Sequence, residues 1–83
     1  MLLCDGLLAK ARNNPQGLRF AELCKLAQCF GWTHDRTRGS HHLFKRPGSM
    51  GLMVFQDAEN GRAKPYQVRQ LLRSIDQLTT DLE

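Results

Sequence analysis

Eleven consecutive residues, Arg36-Thr37-Arg38-Gly39-Ser40-His41-His42-Leu43-Phe44-Lys45-Arg46, carry four of the chain's twelve basic residues and two of its three histidines. No acidic residue interrupts them. Arginine and lysine are the usual partners of phosphate oxygens, and histidine alone has an ordinary pKa, about 6.5, near neutrality. A segment of this kind can hold a phosphodiester and move a proton. The chemistry it suits is attack of a ribose 2′-hydroxyl on the adjacent phosphate. One histidine would serve as general acid or base, with cations placed where charge builds on the phosphoryl oxygens. This needs no cofactor or metal, and the sequence offers no carboxylate cluster to hold one.

Period-two alternation places these residues on strands. Residues 32–38 alternate in type and are rich in β-formers, Gly39-Ser40 closes them, and 41–46 form the return strand. Pro47-Gly48-Ser49-Met50-Gly51 reads as a second turn and 52–56 as a third strand. If Phe44 packs inward, His42 shares its face, while His41, Leu43 and Lys45 face outward. His41 then sits at the mouth of the first hairpin, beside Arg36 or Arg38 and close to Ser40. Arg36, Arg38, Ser40 and Lys45 are the first candidates to contact phosphate, and Arg62 and Lys64 come next.

Three helices frame that sheet. Leu3, Leu7, Leu8 and Ala11 form one stripe of a helix over about 2–12, which Asn13-Asn14-Pro15-Gln16-Gly17 ends. Phe20, Leu23, Leu26, Ala27 and Phe30 line a second over about 19–30, with Gly31 just past its end. Pro65 opens a third, whose Val68, Leu71, Leu72 and Ile75 face inward to about residue 78, with the tail from Thr79 fraying. The pattern specifies one α+β domain spanning 1–83, a three-stranded antiparallel sheet covered by helices on one face. The other face is left to solvent, a partner or a second copy in a homodimer.

Composition narrows the partners. A net charge of +4 favours an anionic partner, nucleic acid ahead of a membrane surface. Cys4, Cys24 and Cys29 are odd in number, which points to free thiols and a reducing compartment. The apolar N-terminus has no basic leader and is too short to span a bilayer, so the expected location is cytoplasmic. Each candidate also has an ordinary structural use. A histidine on a strand is commonly structural, the expectation adopted for His34 and His42, and Lys45 and Arg46 can simply protect a sheet edge.

Three segments in order, Phe30-Gly31-Trp32, Arg38-Gly39-Ser40-His41-His42-Leu43-Phe44 and Ala63-Lys64-Pro65-Tyr66-Gln67-Val68-Arg69-Gln70-Leu71-Leu72, resemble the HicA family of toxins from toxin–antitoxin pairs. The resemblance implies a double-stranded-RNA-binding-domain-like fold with an α-β-β-β-α core, here with an extra N-terminal helix. It implies metal-independent cleavage of mRNA, that is, an mRNA interferase, and neutralisation by a HicB-like antitoxin. The catalytic histidine of the family's Gly-Ser-His motif carries onto His41. Many members have Val-Pro-x-His at the end of the third strand, where this chain has Val54-Phe55-Gln56-Asp57. The alternative is a non-catalytic module of the same fold that binds RNA or an antitoxin.

Overall fold

The structure, a computed structural model, describes residues 2–48 and 51–82. The elements run α1 (Leu2–Asn13), α2 (Phe20–Cys29), β1 (Thr33–Arg38), β2 (His41–Lys45), β3 (Met53–Gln56) and α3 (Pro65–Leu82), with short 3₁₀ turns at Pro15–Gly17 and Glu59–Gly61. The strands form one antiparallel sheet in the order β1-β2-β3. This is the α+β class and element order the sequence specifies. Ser49 and Met50 of the expected second turn lie outside the described residues, as does the side chain of Leu3.

Burial follows the helical stripes. Leu7 and Ala11 of α1, Leu23, Leu26 and Ala27 of α2, and Val68, Leu71 and Ile75 of α3 join Phe44, Met53 and Phe55 of the sheet in one core. The Phe44 and Phe55 rings lie 5.3 Å apart at its centre. Burying a phenylalanine of this kind contributes on the order of 2–3 kcal/mol, which keeps the β2–β3 register from slipping. A one-residue slip of β3 against β2 would send Phe55 to the open face and part the two rings.

The corner from α2 into β1 explains how the sheet is aimed. Gly31 takes φ +99°, its N–H donates to the Gln28 carbonyl, and the Trp32 N–H donates to the Ala27 carbonyl. That is a Schellman ending, which glycine adopts without the Cβ penalty. Arg46, arriving from β2, donates from Nε to the Phe30 carbonyl at 2.7 Å and lays its guanidinium 5.6 Å from the Trp32 ring centroid. Arg46 therefore fastens the sheet to the helix end, a more specific task than guarding an edge.

Two expectations are corrected. α3 continues to Leu82 instead of ending near 78, because no glycine or proline follows Pro65 to stop it and Leu78 still packs against the core. Arg12 of α1 also pairs with Asp76 at 2.7 Å, holding the penultimate turns. The cysteines are not three free thiols: Cys4 and Cys29 form a disulfide joining α1 to the end of α2, and only Cys24 is free. An odd count is compatible with one bridge and one thiol, so it carries no argument for a reducing compartment. Burial pushes the Cys24 thiol up to about 11, which leaves it protonated and inert at neutral pH.

Candidate active site

The site residues meet on the open face because of where β1 and β3 register against β2. His41 is the Cα partner of Arg38 on one side and of Gln56 on the other. Leu43 is partnered by Arg36 and Val54 in the next row. Partners across an antiparallel pair have Cβ atoms about 4.5–5.5 Å apart, so each row is a contiguous strip of side chains. Phe44 and Phe55 are buried on the opposite face, which puts His41 and Gln56 outward. His41 is exposed, at the start of β2.

The turn before it is short by design of sequence. Gly39 takes φ +58° at the first position of the two-residue turn between Arg38 and His41, where a type II′ hairpin calls for glycine. Ser40 follows, and its hydroxyl accepts a hydrogen bond from Gln56 Nε2 at 3.0 Å. Gln56 Oε1 accepts from Lys64 Nζ at 3.1 Å. Lys64, the residue before α3, is thereby joined to the hairpin mouth.

The six candidates for phosphate contact divide on geometry. Arg38, Ser40 and Lys64 lie in or beside the His41 row. Arg36 is one row away and Lys45 stands at the other end of β2, about 13 Å along the strand at the usual rise per residue. Both Arg36 and Lys45 pair with Asp35, Lys45 at 3.3 Å. Lys45, with Arg36 adding to it, holds the Asp35 carboxyl below its ordinary range. Arg62 is exposed on the loop between β3 and α3, where its backbone bridges Arg19. Arg38 makes no ion pair or side-chain hydrogen bond among the described residues, so its guanidinium is available to a ligand.

One irregularity sorts the histidines. Between His34 and Arg36 the β1 register shifts: His34 partners Phe44, yet Arg36 partners Leu43, so Asp35 is an extra residue and bulges. Plain alternation would have put His34 on the open face with Arg36 and Arg38. The bulge turns it to the helix side, where its ring stands edge-on to Phe44 at 5.6 Å and its Nε2 lies 2.8 Å from Thr37 Oγ1. His42 packs against Phe20 of α2 at 4.8 Å between ring centroids. Of three histidines, His41 alone is placed on the open face. The residue that sequence reasoning missed is Gln56; its signal was its place opposite His41 at the end of β3.

Among the described residues no group of three or more His, Cys, Asp or Glu could hold a metal ion, and no helix is long and apolar enough to cross a membrane. Comparison with protein families matches residues 20–77 to the HicA toxin of bacterial toxin–antitoxin. The chain belongs to the HicA toxin family. The matched span begins at α2 and takes in every strand and most of α3, leaving α1 outside it. Membership in HicA makes an antitoxin the implied partner. No curated protein and no solved structure matches the chain.

Proposed function

We propose that this HicA protein is a metal-independent endoribonuclease, an mRNA interferase that uses His41 as its general acid or base. One observation carries the proposal: Arg38, His41 and Gln56 stand in one row of the open face, with the Lys64 ammonium held on Gln56. His41 accepts the proton of a ribose 2′-hydroxyl as O2′ bonds to phosphorus. The P–O5′ bond breaks and the leaving oxygen takes a proton from water. The products are a 2′,3′-cyclic phosphate and a 5′-hydroxyl end. Arg38, Lys64 and the Ser40 hydroxyl donate to the phosphoryl oxygens, with Arg36 and Lys45 further along the strands and Arg62 on the loop before α3. Such a mechanism acts on message in the cytoplasm.

A single positioned acid or base contributes roughly 10²–10⁴ in rate, so the enzyme is slow. The test incubates mRNA with wild-type protein and His41→Ala in EDTA and identifies the ends formed. Cyclic phosphate or 3′-phosphate ends from wild type, lost in His41→Ala, support the reading. Equal cutting by His41→Ala removes His41 from the role.

The competing use of the same face is binding without cleavage, of RNA, of a HicB-like antitoxin or of a second copy in a homodimer. The half-buried Leu43 and Val54 pair in the row beside His41 favours it, because apolar side chains there suit a partner better than solvent. It predicts salt-dependent RNA binding or complex formation that is indifferent to His41, with intact RNA.

A further inference from the structure

We infer that Gln56 is a positioning residue, which ties the Ser40 hydroxyl and the Lys64 ammonium together beside His41 and leaves both as hydrogen-bond donors toward a ligand. The inference rests on the nuclease reading for its purpose but not for its geometry. Three hydrogen bonds define the arrangement. The Gln56 backbone N–H donates to Gln67 Oε1 at 2.9 Å, Gln56 Nε2 donates to Ser40 Oγ at 3.0 Å, and Lys64 Nζ donates to Gln56 Oε1 at 3.1 Å.

The direction of each bond follows from what the groups can do. A lysine ammonium only donates, so the Gln56 oxygen must face Lys64, and the amide nitrogen is then left for Ser40. A backbone N–H also only donates, so the Gln67 oxygen must face Gln56. Gln67 is the one buried polar or charged residue among the described residues, 4% exposed, and its bond to Gln56 ties the end of β3 to α3. Ser40 accepts from Gln56, so its own proton is free to point outward. Lys64 spends one of three protons on Gln56 and keeps the other two.

Only a carboxamide performs this task. A carboxylate at 56 would accept from both neighbours and turn the Ser40 proton inward; an apolar side chain would hold neither. The Ser40 proton and two Lys64 protons are thus left as donors beside His41, the complement of the non-bridging oxygens of a phosphodiester. Preset donors of this kind act on the transition state without being reorganised during the reaction.

The experiment compares wild type, Gln56→Met, Lys64→Met and the double variant in single-turnover and steady-state cleavage of one RNA, with thermal melting to confirm folding. Gln56→Met keeps length and leaves the backbone bond to Gln67 in place. We expect kcat to fall about tenfold with KM within about twofold, and the double variant to lose less than the product of the single losses, as for groups acting as a unit. Ser40→Ala removes the other end of the same bond from an exposed turn and is expected to fall likewise. Cleavage by Gln56→Met within about twofold of wild type, or losses that multiply, overturns the inference. If wild type does not cut RNA, the nuclease reading fails and the arrangement is read separately by ¹⁵N NMR of the Lys64 ammonium. A signal protected from exchange in wild type and lost in Gln56→Met upholds it; one unchanged by the substitution overturns it.

Discussion

Arg36 and Arg38 are the same residue type two positions apart, yet their surroundings assign them different work. Arg36 shares Asp35 with Lys45, while Arg38 makes no ion pair among the described residues and is registered beside His41. Hydrogen bonds to charged groups contribute about 1.5–3 kcal/mol, so Arg38→Ala should weaken RNA binding or cleavage by roughly tenfold or more. Arg36→Ala should change it only a few-fold. Asp35→Asn should move the other way, because it releases two cations and raises the net charge; RNA affinity at low salt should rise and fall more steeply with added salt. Filter binding over a salt series reads all three. The sequence named both arginines as candidates. It could not rank them, because the bulge at Asp35 that shifts register and gathers Arg36 and Lys45 is a feature of pairing between strands, invisible to alternation along one.

At the scale of elements, the ends of α2 carry the most specific interactions. Gly31 combines a positive φ with the Arg46 side chain, whose Nε would lie 3.0 Å from an added Cβ. Gly31→Ala should therefore cost about 1–2 kcal/mol in urea unfolding and weaken the hold of β2 on the helix. At the other end, the Arg19 backbone N–H and then the Lys10 ammonium hold the Glu22 carboxyl below the usual carboxylate range. Arg12 does the same for Asp76, and Lys45 with Arg36 for Asp35. Each of these groups is harder to protonate folded than unfolded. Their contribution is present above the unfolded carboxylate range, about pH 4, and is lost as pH falls through the lower folded values. Unfolding midpoints between pH 7 and pH 2.5 should decline below about pH 4, and Glu22→Gln should flatten part of that decline.

For the whole molecule, the decisive feature is how α1 is attached. It lies outside the span matched to HicA, yet it contributes Leu7 and Ala11 to the common core, pairs Lys10 with Glu22 and Arg12 with Asp76, and is bridged to α2 through Cys4–Cys29. The disulfide links residues 25 apart, and closing a loop of that length restricts the unfolded chain by about 3–4 kcal/mol in the chain-entropy account. Reduction, or a Cys4→Ser variant, should lower stability by up to that amount. Cleavage per folded molecule should stay within about twofold, since none of the residues proposed for the site lies on α1. Melting with and without dithiothreitol, followed by activity below the lower midpoint, checks both parts.

By itself the sequence determined the elements, the class and the outward histidine. Those depend on local periods: three to four for the helices, two for the strands, with Gly31, Gly39 and Pro65 as punctuation, and Phe44 large enough to decide which face of β2 is buried. The family segments are equally local, since Gly-Ser-His and Lys-Pro-Tyr-Gln are runs of neighbours. Tertiary structure alone decided which cations stand near His41, that His34 shares the Phe44 face, that Cys4 reaches Cys29, and that Gln56 joins Ser40 to Lys64. Each of these joins residues from different elements, and their meeting is set by strand register and helix packing. The hairpin that reads in sequence as a basic, histidine-bearing ribbon becomes in three dimensions one imidazole flanked by Arg38 and by donors that Gln56 holds in place.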